Sequence, residues 1–309
     1  MRLPIEPEPE GEGNAADDHA AATRGVFSTW SSGLLLLFTG SCFYLYQSGV
    51  WILWSRGSAL GTWGLALAPV IGVLVPVTLA IRTRRVPIRE QLWFYGFSRR
   101  QLVGVLLAAL GAVPVCYAAA ALNAALAPPD PDYLDVFQSL APTSVTDVLA
   151  GFVAVVVCVP LAEEILFRFL LFGLLARHVN AFAAVVATSV LFSAAHLAPF
   201  LVLPIGLLGI VLGLLTMWSR TLTAAWIGHA VFNLVGYVEL CVGGDVESTV
   251  VQDSLLKPPL LAVGTLLLVA GLAILRSDAH ATARREAHEA ARRFDALMRD
   301  HDEDANNNV

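Results

Sequence analysis

Three short groups of polar residues stand inside otherwise apolar stretches, and each carries side chains able to take part in hydrolysis. The run Pro160-Leu-Ala-Glu-Glu-Ile-Leu-Phe-Arg168 holds Glu163, Glu164 and Arg168. Glu164 and Arg168 are four apart, so on a helix they share a face and can pair, which offsets part of the cost of burying each charge. Glu163 lies about 100° around the helix from Glu164 and faces elsewhere, without that partner. A structural ion pair explains one acid but not the second. The run Phe192-Ser-Ala-Ala-His196 holds one histidine, which alone reads as a packing residue or headgroup contact. Its small residues Ser193, Ala194 and Ala195 suit the close approach of a neighbouring helix. The run His229-Ala-Val-Phe-Asn233 stacks an imidazole and an amide one turn apart on one face. Such a pair serves either as interhelical glue or as two donors for a developing oxyanion.

These groups matter because of what surrounds them. Of 309 residues, 57% are hydrophobic and only 14% charged, and the mean hydropathy is +0.68. Soluble chains carry about 25% charged residues. Apolar runs of about 20 residues, the length that spans a bilayer, recur along the sequence. We place eight spans near 30–54, 59–81, 102–126, 147–175, 181–198, 200–218, 221–242 and 258–275, with Pro199 and Pro204 interrupting the fifth and sixth. The expected fold is all-α, a polytopic bundle of about eight transmembrane helices. An ionisable side chain within a span costs about 2.5–3.5 kcal/mol on insertion scales and marks function by default. Here such side chains concentrate in the fourth, fifth and seventh spans, with no competing ionisable group expected elsewhere in the bundle.

Arginines fall between the second and third spans (Arg82, Arg84, Arg85, Arg89, Arg99, Arg100), after the fourth (Arg177), before the seventh (Arg220) and in the C-terminal segment. Asp130, Asp132, Asp135, Asp245 and Glu247 fall on the opposite side, and Arg56 alone disagrees. The positive-inside rule then places both termini in the cytoplasm of an integral protein of the cell membrane. Taking a rise of about 1.5 Å per residue, Glu163 and Asn233 lie about 18 Å deep, His229 about 12 Å and His196 about 24 Å, so the fifth span must tilt or start late.

The organisation reads as a disordered acidic tail over 1–29, N-terminal spans with a basic interfacial loop over 30–126, a motif-bearing core over 147–242, a last span over 258–275 and a charged, alanine-rich tail over 276–309 of helical propensity. Cys42, Cys116, Cys158 and Cys241 are scattered singly and form neither a zinc-thiolate pattern nor a disulfide framework. Lys257 is the sole lysine, and no basic patch with interleaved aromatics supports nucleic-acid binding.

Taken in order and each in its own apolar helix, Glu163-Glu164-Ile-Leu-Phe-Arg168, Phe192-Ser-Ala-Ala-His196 and His229-Ala-Val-Phe-Asn233 resemble the motifs of the CPBP family of CAAX proteases and bacteriocin-processing enzymes, which includes the Ras-converting CAAX prenyl endopeptidases. The resemblance covers about residues 147–242. It implies an intramembrane endopeptidase in which Glu163, with His196, activates water, His229 and Asn233 stabilise the oxyanion, and Glu164 and Arg168 support the helix. It implies a membrane-anchored peptide or protein as substrate, in contact with the lipid bilayer. No cofactor is favoured. Zinc is the alternative, with Glu163, His196 and His229 as ligands, although no HExxH pair is present to place two of them on one face. A non-catalytic membrane scaffold or immunity-type protein of the same fold is a further alternative. A transporter would show internal repeats, and none mirrors the motif half.

Overall fold

The computed structural model describes residues 70–82, 98–129, 141–243 and 258–307, with isolated residues between 33 and 44 and between 131 and 138. Most of the expected first span over 30–54, the beginning of the second over 59–81, most of the interfacial loop, the N-terminal tail and most of the acidic loops around Asp130 and Asp245 lie outside this description.

The chain is an all-α polytopic membrane protein, and no strand occurs among the described residues. We number the helices α1 (70–82), α2 (Arg99–Leu126), α3 (Val145–Leu175), α4 (Ala181–Ala194), α5 (Val202–Ser219), α6 (Leu222–Cys241) and α7 (Pro258–Asn307). Among the described residues, five segments are long and apolar enough to cross a membrane: α2, α3, Pro199–Ser219, α6 and the Pro258–Glu286 part of α7. Lipid offers no partner for backbone polar groups, so helices that close their own hydrogen bonds are the natural outcome of such runs.

The fifth expected span, 181–198, is corrected. Asn180 caps α4 by accepting from the Ala183 N–H, and the helix ends at Ala194 after 14 residues. Proline disfavours helical backbone in the residue before it, and Ala198, just ahead of Pro199, is extended. A turn over 195–201 follows, with a short 3-10 segment at Pro199–Leu201, before α5 begins. His196 therefore lies beyond a helix end rather than inside a span. The last span and the tail form one helix, α7, with neither glycine nor proline after Gly271 to stop it.

α2 occupies the middle of the bundle, touching α5, α6 and α7. Its seam with α7 is closed by glycines seven residues apart on each side. A Cβ on Gly111 would collide with the Leu268 backbone, one on Gly264 with Pro114, and one on Gly271 with the backbones of Ala108 and Gly104. Gly104 faces Gly271 while Gly111 faces Gly264, so the two helices run antiparallel with backbones in close approach. At one end Arg100 pairs with Asp278, and Arg220 with Glu286, fastening the outer part of α7 to the bundle. α4 and α5 pack through Gly209 against Ser189 and Gly213 against Val185.

Candidate active site

α3 is not a uniform helix. Residues 152–158 and 165–171 adopt the wider π form, flanking the α-helical turns Val159–Glu164. Wide turns of this kind recur at functional sites. Pro160 has no N–H to give. In the i→i+5 pattern, shown here by the Val159 N–H donating to the Ala154 carbonyl, the next donor would have served Val155. Instead the Asn233 Nδ2 donates to the Val155 carbonyl at 3.0 Å. Two turns earlier on α6, Trp226 Nε1 donates to the Val157 carbonyl at 3.1 Å. Side chains of α6 thus occupy carbonyls of the widened stretch and fix the register of α3 against α6.

That register brings the acids of α3 to the imidazole of α6. His229 Nδ1 lies 2.9 Å from Glu164 Oε1, and its Nε2 lies 3.7 Å from Glu163 Oε2. With Glu164 as a carboxylate, the Nδ1–H donates to it, leaving Nε2 as the ring end turned toward Glu163. Glu164 Oε2 is also 3.2 Å from Arg168 Nε, so the pair expected from four-residue spacing is present. The Arg168 Nη2 donates to the Gly209 carbonyl at 3.1 Å, and its guanidinium lies 4.6 Å over the Phe192 ring. Glu163 faces the other ring nitrogen of the same His229. Of the two acids only Glu163 keeps side-chain exposure, 12% against 0% for Glu164.

His196 stands on the turn after α4. Its Nδ1 donates to the Phe192 carbonyl at 2.8 Å, which in the neutral ring leaves Nε2 with a free lone pair. Phe192 is fully buried and meets His196 and His229 edge-on, at 5.0 and 5.9 Å between centroids. One aromatic ring thus spaces both imidazoles and covers the arginine. Among the described residues no hydrogen bond joins His196 to Glu163. Nor does any group of three or more His, Cys, Asp or Glu gather as a metal site. Each imidazole has its Nδ1 held by an oxygen and its Nε2 open, as metal-bound histidines do, but Glu163, His196 and His229 do not gather into a three-residue ligand group in this arrangement.

Residues 145–235 match the family model described as Type II CAAX prenyl endopeptidase Rce1-like. Over these residues, fewer than half of the 309, the chain is similar to the CAAX proteases. The matched stretch runs from the start of α3 to near the end of α6 and contains Glu163, Glu164, Arg168, Phe192, His196, His229 and Asn233. A CAAX protease family domain embedded in this bundle supports hydrolase chemistry of the intramembrane endopeptidase kind. None of the curated proteins and none of the solved structures compared matches the chain.

Sequence reasoning passed over three features. Phe192 was quoted in its motif without a role, yet it is the ring on which the site is assembled. Glu239 is the one acid on α6, accepting from the Tyr117 hydroxyl at 2.7 Å beside an apolar groove between α2, α6 and α7. Its signal, a carboxylate in an apolar run, was open to view. Asn123 on α2 is 4% exposed and binds the turn that carries His196: its Nδ2 donates to the Pro199 carbonyl at 3.0 Å and its Oδ1 accepts from the Leu203 N–H at 2.7 Å.

Proposed function

We propose that this chain is an intramembrane endopeptidase that hydrolyses a peptide bond in a membrane-associated protein or peptide, CAAX-type prenylated chains being one class of substrate that the family admits. The observation that carries the reading is His229 held between two carboxylates, one locked to Arg168 and the other half-free. Glu164 is committed to Arg168 and His229, so it acts as a support. Glu163 is the carboxylate with room to work. In the proposed reaction Glu163 takes a proton from water while the water oxygen bonds to the scissile carbonyl carbon. The C–N bond then breaks, and the same proton passes to the leaving amine. His196 offers its Nε2 lone pair to the attacking water. The gap of 3.7 Å between Glu163 and the His229 Nε2 exceeds a direct hydrogen bond and suits one bridging oxygen.

For the oxyanion, His229 must carry a proton on Nε2 as well, and Asn233 has one amide hydrogen left after its bond to Val155. The Val155 bond also favours a second reading of Asn233, as the clamp between α3 and α6 alone, which would leave the oxyanion to His229. The test compares new protein N-termini in membranes expressing wild type, Glu163→Gln or His196→Ala. A membrane peptide cut only by wild type supports the peptidase. Identical sets of termini in all three would favour a scaffold of the same fold.

A further inference from the structure

We infer that Asn123 is a positioning residue for His196, an inference that rests on the peptidase reading for its effect on turnover but not for its geometry. The histidine stands on a turn that must be held from outside. Leu197, the next residue, has a φ of 53°, a left-handed conformation that a leucine adopts only where its surroundings impose it. α5 starts within the same turn with no side-chain cap of its own. In an apolar interior the leading N–H groups of a helix have no water to fall back on.

Asn123 supplies what is missing from about 80 positions away in sequence. Its amide oxygen receives the Leu203 N–H, and its amide nitrogen gives to the Pro199 carbonyl, so one side chain spans the turn with both ends of its amide. From the α4 side the Ser193 Oγ donates to the Val202 carbonyl at 2.8 Å. The turn is thereby tied to α2 and α4 together, and the His196 ring keeps its bond to the Phe192 carbonyl. Asn123 bonds to the backbone of the turn, and it reaches the chemistry only through the position of His196.

The test uses the full chain in nanodiscs with isotope-labelled histidine, the His196 nitrogen signals being assigned by their loss in His196→Ala. Asn123→Ala is expected to shift and broaden the His196 pair while leaving the His229 signals in place. With the peptide found by the membrane comparison as substrate, it should slow turnover about 100-fold, as misplacement of a reacting group by about 1 Å can do. In a His196→Ala background the same change should add no further loss, because its route to the reaction has gone. Asn123→Asp keeps the acceptor for Leu203 and loses the donor to Pro199. It should fall between wild type and alanine, and it decides by the same signals if the alanine variant does not fold. Unmoved His196 signals in a folded variant, or a full multiplicative loss in the double variant, would overturn the inference. A shift in the His196 signals with no cleavage by wild type would support the positioning role and refute the peptidase.

Discussion

Removing Arg168 should unfold the protein more readily than any other single truncation in α3, and the size of the effect can be worked from its contacts. The side chain is 1% exposed and makes three interactions: the ion pair with Glu164, the bond to the Gly209 carbonyl and the cation–π contact with Phe192. Breaking a buried pair from one side costs about 3–5 kcal/mol, because the other charge stays behind. Here the abandoned Glu164 keeps the His229 Nδ1–H at 2.9 Å, which pulls that loss to the low end of the range. A hydrogen bond from a charged donor is worth about 1.5–3 kcal/mol, and a desolvated cation–π contact up to about 2 kcal/mol. These contributions overlap, so Arg168→Ala should cost about 4 kcal/mol, or about three powers of ten in the folding equilibrium. Arg168→Lys should recover only part, since an ammonium cannot serve the carboxylate and the Gly209 carbonyl with one planar fork. Adding Glu164→Gln to Arg168→Ala should recover more than the lysine does by removing the stranded charge. The assay is unfolding free energy from denaturant titration in mixed micelles, with thermal unfolding as a second reading. A loss below about 1 kcal/mol for Arg168→Ala, or a double variant no more stable than the single, would refute the reasoning.

Other expectations are simpler to check. Gly111→Ala drives a methyl into the Leu268 backbone and should cost about 1–3 kcal/mol, whereas Gly236→Ala, with nothing within 4 Å, should be neutral or stabilise by up to about 1 kcal/mol in the same titration. Leu197→Val places a β-branched side chain at a φ of 53° and should destabilise by about 1–3 kcal/mol, while Leu197→Gly should relieve the conformation; thermal unfolding of the pair ranks them. Because Glu163, His196 and His229 do not gather into a three-residue ligand group and Glu163 can itself take the proton from water, cleavage should continue undiminished in excess chelator. Loss of activity restored by zinc would show that these ligands rearrange around a metal.

What could be read from the sequence followed how locally each feature is encoded. The apolar runs of α2, α3, α5 and α6 stand in plain view, and the Glu164–Arg168 pair follows from four-residue spacing on one helix. The shortness of α4 was also encoded, in Pro199, but an apolar stretch continuing through 201–218 masks the break. The bond from Asn233 to Val155 is harder to foresee. Pro160 announces that a carbonyl will lack its donor, yet which carbonyl depends on a π turn that hydrophobic periodicity does not register. Asn123 gives no sequence signal of that kind. It is a lone polar residue among alanines and leucines, and its partners are backbone groups about 80 positions away that become neighbours only when α2 meets the α4–α5 turn.

The two widened stretches of α3 make the helix sensitive to length as well as to composition. A π turn is what a helix adopts when it holds one residue more than regular winding accommodates, so loss of one residue would let it relax to an ordinary spiral. Residues beyond the turn would keep their faces, while those within it would rotate by up to about 100° about the shaft. A deletion at 165, 166 or 167 would leave Arg168 three places from Glu164 instead of four and carry its guanidinium away from the carboxylate, with no side chain of the pair altered. In descendants of this sequence, gaps in that stretch should therefore be rarer than substitutions, and where one occurs a compensating insertion should lie close by.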